Sequence, residues 1–475
     1  MQKLFTAVFV LFFAVFAYGA EKKNIIFVVA DGGGPAVMGF LMQYARYAEN
    51  SPYKDRISVL EKMFDEGKNG ILLNATQNTL VSDSAAAGTH LAKGVLTYPE
   101  HLGISWQGED ADSLLKKAKR LGMATGLITD VYLSDATPSA FAASAESRRD
   151  YETITPSLLT CGADVLLGGG LDYFVSQEDL SNPNYSAIFN KIPFSKDIKP
   201  KSKQNIFEKL LTSGYGLSFD KKSLQNARTP KLIGLFGAGW MPLNISPKSY
   251  APDLLDMTKK AVEILSKNDK GFFLLVEAGM LDWMLHDNDQ GAVLAELLEL
   301  DKTLGYIKDF ADKNSDTLVI ITADHDTGGF GFTYRDISED EILLKQQQNY
   351  PVYDKKDYVL KSNLDIIAKQ TKMQRDMRAE FSALPQDKQT PEAIQKYLKE
   401  NMGYELDLQT IKEMGSFDKS LNKVNELLGI TWSTATHTAS SVFINFYGAK
   451  AADFPYVMHN TQANKLIEEF LYDGK

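Results

Sequence analysis

Six stretches of this chain stay apolar on both faces for the length of a strand: NIIFVVAD (Asn24–Asp31), ATGLITD (Ala124–Asp130), KLIGLF (Lys231–Phe236), GFFLLVEAG (Gly271–Gly279), TLVIITAD (Thr317–Asp324) and SVFINFYG (Ser441–Gly448). A strand wet on one side alternates polar and apolar residues, whereas one buried on both sides does not. Helical periodicity falls between several of them, in Ala111–Gly122, Leu254–Asn268 and Gln290–Asp312. That alternation predicts an α/β fold, a three-layer sandwich with a largely parallel central sheet flanked by helices. Two regions interrupt it. No glycine lies between Gly331 and Gly403, and Thr390–Glu400 (TPEAIQKYLKE) offers a Thr cap with Pro in the first turn. We read about 338–428 as a largely helical insertion, and about 176–226 as a less regular polar excursion.

The chain opens MQKLFTAVFVLFFAVFAYGAEKKN. One Lys, an apolar run from Leu4 to Ala17 and small residues before a polar stretch have the layout of a secretory signal, too short for a comfortable span. Small residues at Ala17 and Gly19 predict cleavage after Gly19, giving a signal peptide over 1–19 and one catalytic domain over 20–475. The expected product is secreted, most simply into a periplasm, with no stable membrane anchor after cleavage. Cys161 is the only cysteine, which rules out an intrachain disulfide and a thiolate-based zinc cluster. A formal charge of −10 argues against nucleic acid as a partner.

Asp31, Glu277 and Asp324 each close an apolar run. In open α/β sheets ligands bind beyond the carboxyl ends of the strands, and a charge there is costly to bury unless it is paired or bound to metal. Any one of these could be a helix cap or a satisfied loop acid; three together shift the balance to a site. VEAGMLDWMLHDND adds Asp282 and His286, four apart and so on one helical face. TADHDTGG adds His325, and THTAS places His437 just before the last apolar run. Imidazole and carboxylate without thiolate suit zinc, with magnesium where oxygen dominates. The other three histidines, His90, His101 and His459, lie away from acids and strand ends, and a surface or satisfied role fits them better. DGGGPAVMG (Asp31–Gly39) departs from a dinucleotide fingerprint, because Val37 stands where the third glycine belongs.

VSDSAAAGT (Val81–Thr89) resembles the nucleophile motif of the alkaline phosphatase family at every position. The family's other motifs follow in order: Asp31 at a strand end, DATPSAFAASAESR (Asp135–Arg148), VEAGMLDWMLH, TADH and THTAS. The resemblance covers about 24–331 and 432–475. It implies hydrolysis of phosphate monoesters through a covalent phosphoserine at Ser84. It implies two zinc ions and one magnesium per chain: Asp282, His286 and His437 on the first zinc, Asp31, Asp324 and His325 on the second beside Ser84, and Asp31, Thr137 and Glu277 on magnesium. Arg148 corresponds to the arginine that grips phosphate, and Asp83 to the acid that orients it. Asp135 stands where many relatives have His and suits water-mediated support of magnesium. Trp283 stands where some relatives carry Lys or His, so one positive charge near the phosphate is absent there. The resemblance also implies small phosphomonoester substrates and a homodimer.

Two enzymatic rivals and a silent scaffold fit less well. Sulfatases need Cys or Ser in a C/S-x-P-x-R context, but Ser84 is followed by three alanines. Diesterases of the superfamily usually use Thr and lack the third metal site, for which Thr137 and Glu277 are present. A scaffold that had lost its activity would be expected to lack a ligand, and none is missing.

Overall fold

A computed structural model describes residues 22–347 and 350–473; the expected signal peptide lies outside the described residues. Ten strands form the main sheet: β1 Lys23–Ala30, β2 Lys68–Leu73, β3 Ala124–Tyr132, β4 Val165–Gly169, β5 Gly216–Ser218, β6 Leu232–Leu235, β7 Gly271–Ala278, β8 Thr317–Thr322, β9 Val442–Gly448 and β10 Val457–His459. Their spatial order is β10-β2-β9-β8-β1-β7-β3-β4-β6-β5. Every neighbouring pair is parallel except those of β9, which runs antiparallel to both β2 and β8. The architecture is the expected one, a mostly parallel sheet between helices. Ile25 through Ala30 are all fully buried, as the uninterrupted apolar run requires. Each such Val, Leu or Ile contributes about 1.5–3 kcal/mol when fully removed from water.

Helices lie in two groups. One contains α1 Pro35–Tyr47, α5 Leu254–Leu265 and α7 Gln290–Lys313. The other contains α2 Ser84–Lys93, α3 Leu114–Arg120, α4 Ala136–Ala142 and α11 Asn460–Tyr472. The short α6 Met280–His286 follows β7 directly. Within 338–428 the chain is mainly helical, including α8 Gln374–Ser382, α9 Pro391–Met402 and α10 Phe417–Leu427. Thr390 caps α9 by accepting from the Ala393 N–H. These helices share an apolar centre, with Phe381 stacked on Phe417 at 4.5 Å between ring centroids.

Four strands of the sheet were not among the six apolar runs. In β2 (KNGILL) most side chains are partly or fully exposed near one margin of the sheet. β4 is short and ends in two glycines, and β5 and β10 have three residues each at the two edges. β5 lies inside the polar excursion of 176–226, which otherwise forms short helices and loops.

Candidate active site

Register brings the strand-end acids together. Val29 of β1 lies opposite Glu277 of β7 on one side and Thr322 of β8 on the other. Asp31 therefore emerges between Glu277 and Asp324 at the carboxyl edge of three adjacent strands. Gly32 follows with φ +70°, and a Cβ there would sit 2.7 Å from the Asp282 carboxylate. The glycines after β1 thus serve close approach to a carboxylate helix rather than to a nucleotide.

Asp282, His286 and His437 form one group whose ligand atoms lie within 4.8 Å of one another, and Asp31, Asp324 and His325 form a second. In the first, His286 Nε2 is 3.3 Å from Asp282 Oδ2 and 3.1 Å from His437 Nε2. Each Nδ1 faces a backbone carbonyl, Ala435 at 2.7 Å for His286 and Ser82 at 2.9 Å for His437. A carbonyl only accepts, so each Nδ1 carries a proton, and Nε2 is the atom that would turn a lone pair to a metal ion. His437 reaches this place because His437–Thr438 pairs antiparallel with Asp326–Thr327. In the second group His325 Nε2 lies 3.1 Å from Asp324 and 3.6 Å from Asp31. The rings of His325 and His437 stack at 3.6 Å, joining the two groups.

Several polar atoms of this cluster are left without partners. Asp31 Oδ1, Asp324 Oδ2, Thr137 Oγ1 and both Glu277 oxygens are buried with no hydrogen bond. Burial, then the neighbouring Asp324, pushes the Asp31 carboxyl well above its usual range; burial, then Asp135, does the same to Glu277. Asp324 is pushed up to about 6, by burial and then Asp282. Burial also opposes the charge of Asp282, but His286 and the other two imidazoles outweigh it and hold this carboxyl below its usual range. An unpaired buried carboxylate costs several kcal/mol or more, so a cluster of them fits cations. The donor set is all nitrogen and oxygen, which suits zinc at the two imidazole-bearing groups and magnesium at Asp31, Thr137 and Glu277.

Ser84 is the first residue of α2 and is 5% exposed, with its Oγ 3.2 Å from His325 Nε2. Asp83 caps the helix, accepting from the Ala85 and Ala86 N–H groups. Ala85, Ala86 and Ala87 are fully buried, and a Cβ on Gly88 would press on Ala140 of α4 at 3.2 Å. The small residues after Ser84 are therefore the condition for seating α2 against α4, which also carries Thr137. Arg148 bridges two carboxylates, Asp83 and Asp135, each at 3.1 Å. The second contact was not anticipated: Asp135 caps α4 and holds the guanidinium as well as facing Glu277. A pocket of about 320 Å3 is lined by Ser84, Arg148, Asp282, Trp283, His286 and His437.

Asp287 and Arg375 complete that lining. Arg375, on α8, pairs with Asp287 at 3.1 Å. Sequence reasoning missed it, because an arginine in a charged helical stretch looks like a solvated face, and only the docking of α8 brings it here. His90, His101 and His459 stay out of the site; His90 accepts from the Thr97 N–H and His459 caps α11.

Over residues 22–472 the chain matches the family model described as alkaline phosphatase. Alkaline phosphatase 4 of Bacillus subtilis is 28% identical over 470 residues, 96% of this chain and 90% of that protein. Among solved structures, Thermus thermophilus alkaline phosphatase has a TM-score of 0.74 at 24% identity, covering 95% of this chain and 91% of that one. A TAB5 alkaline phosphatase variant with one histidine changed to aspartate, and Mg bound in its M3 site, has a TM-score of 0.63 at 20% identity, covering 95% and 99%.

Proposed function

The chain belongs to the alkaline phosphatase family and is a phosphomonoester hydrolase; on that premise we propose how its own residues divide the reaction. Ser84 Oγ attacks phosphorus, the bond to the ester oxygen breaks, and the alcohol leaves after taking up a proton. Water then attacks the phosphoserine, releasing inorganic phosphate and restoring the Ser84 hydroxyl. Arg148 donates to the non-bridging oxygens, with Asp83 and Asp135 fixing its plane so that little is lost in ordering it on each turnover. Asp282, His286 and His437 would hold one zinc, Asp31, Asp324 and His325 a second, and Asp31, Thr137 and Glu277 a magnesium. Two such ions supply Lewis-acid charge where the serine and leaving oxygens become anionic. The TAB5 variant with Mg in its M3 site supports magnesium for the third position.

The observation that carries this reading is the set of buried, partnerless carboxylate oxygens converging beside one buried serine. We further place residues 20–475 in one catalytic domain, with the insertion of about 338–428 lending Arg375 to the pocket. The leader-like N-terminus supports secretion into a periplasm. Among the described residues no helix is long and apolar enough to cross a membrane. A homodimer follows from the family resemblance, and sedimentation at micromolar concentration tests it. The reaction class is tested by rates on a monoester, a diester and a sulfate ester side by side, with metal analysis of the same sample. Preference for the monoester with about two zinc ions and one magnesium is the expected result.

A further inference from the structure

A second cavity, of about 780 Å3, opens beside the catalytic pocket, and Trp283 lines both. Trp283 is the residue after Asp282, so the wall of this cavity begins one position from a proposed metal ligand. From there the aromatic rings continue. Tyr132 meets Trp283 edge-on at 6.0 Å and stacks on Tyr173 at 4.8 Å; Trp240 meets Trp283 at 4.9 Å. Trp240 is 45% exposed, an indole left facing the cavity rather than the core. The helical segment supplies another part of the wall through Lys372 and Asp376, next in sequence to Arg375 of the catalytic pocket.

The cavity's charges select against a polyanion. Lys199, Lys201, Lys248 and Lys372 are matched by Asp172, Asp197, Asp376 and Glu380. Lys201 lies over the Tyr173 ring at 4.3 Å, and Lys372 pairs with Glu380 at 2.5 Å. What remains is a near-neutral cleft with exposed ring surface and a volume in the range of pockets for drug-sized ligands. A small aliphatic alcohol would leave most of it in water. A planar ring system would cover Trp240 and Trp283 and gain stacking.

We propose that this cleft is the leaving-group subsite, and that the chain favours phosphomonoesters whose alcohol carries a planar ring system of about nucleoside or bicyclic size. The inference rests on the phosphomonoester hydrolase reading. Two substrate pairs test it while keeping the leaving oxygen alike: adenosine 5′-monophosphate against ribose 5-phosphate, and 2-naphthyl against phenyl phosphate. In the metal-loaded enzyme kcat/KM for the ring-bearing partner should be about 10-fold higher in at least one pair. Trp240→Ala should bring that ratio to within about 2-fold of one, and Trp240→Phe, which keeps a ring, should restore most of it. A collapse in the adenosine pair names a nucleotide-like leaving group, and one in the naphthyl pair an aryl one. Ratios near one in the unmodified enzyme, or ratios untouched by Trp240→Ala, overturn the subsite while leaving the hydrolase reading intact. Failure to hydrolyse any of the four esters overturns the hydrolase reading itself.

Discussion

Two buried polar clusters in this molecule have the same depth and opposite hydrogen-bond accounts. At the carboxyl edge of β1, β7 and β8, Glu277 is 1% exposed and neither of its oxygens has a partner. Where the helical segment docks on α7, Asp289 is fully buried, yet its carboxylate accepts from the Ala292 N–H, the Gln370 amide and the Gln374 N–H at 3.1, 2.6 and 2.6 Å. Gln374 also reaches Gln290, and Gln290 reaches Asn425, so the docking surface is tied by amides. Asp130 is a similar case, a strand-end acid satisfied by the Gly279 and Met280 N–H groups. Depth alone therefore does not mark a functional acid; a carboxylate oxygen left without a donor does, and Asp324 keeps one such oxygen although its other accepts from the Gly32 and His325 N–H groups. The Asp289 carboxylate, with its three donors, joins parts of the fold, and the unpartnered strand-end oxygens call for cations.

The sharpest break between the two clusters should come from Ser84→Ala. It removes the group the unsatisfied acids surround, so kcat should fall on the order of 10³-fold or more while thermal unfolding stays near that of the parent. Acid-quench labelling with radioactive phosphate should lose its signal, and a labelled residue elsewhere would defeat the assignment. Chelation comes next: activity should vanish and return with zinc plus magnesium. His437→Ala should bind fewer zinc ions than the parent by metal analysis, and full zinc content would remove its ligand role. A third comparison uses stability in the presence of chelator. Asp31→Asn should stabilise the metal-free protein by about 1–3 kcal/mol, because one of several repelling buried carboxylates becomes neutral. Asp289→Asn should destabilise it by about 1–3 kcal/mol, with or without chelator, because donors lose an acceptor. Urea titrations of the two variants that move in the same direction would dissolve the distinction. The smallest effect is that of Arg375→Ala. This side chain is 55% exposed, so its charge is well screened. Phosphate inhibition should weaken by about 2–5-fold with kcat little changed, and an unchanged inhibition constant would return Arg375 to the solvent face.

The sheet was legible wherever strands are buried on both sides, because those segments need apolar residues without interruption and β1, β7 and β8 have them. β2 and β10 escaped, since a half-exposed or three-residue strand leaves no run to count. Of the site, Asp31, Glu277 and Asp324 could be seen as charges that end apolar runs, and Asp282 with His286 as a helical pair. Their assignment to particular ions came from resemblance. Arg375 and Trp240 gave no signal, because what makes them part of the pocket or its neighbouring cleft is the docking of other segments, and that lies in tertiary contact rather than in spacing. Asp135 was read as a magnesium neighbour, and its grip on Arg148 depended on where α4 begins.

His437 and Ser82 meet across 355 residues of chain, and β9, which follows His437, is inserted between β2 and β8 rather than added at a margin. At a synthesis rate of about 5–20 residues per second, the ribosome needs about 20–70 s to travel from the serine loop to the histidine that faces it. During that interval the chain carries Ser84 but lacks the strand that lies between β2 and β8. The pairing that closes the gap is among the most distant in the molecule, and such contacts form late because the loop entropy must be met first. Reactivity is thereby tied to the arrival of His437: a growing chain holds a serine without its full set of imidazoles, and the hydrolytic centre comes into being only once β9 takes its place between β2 and β8.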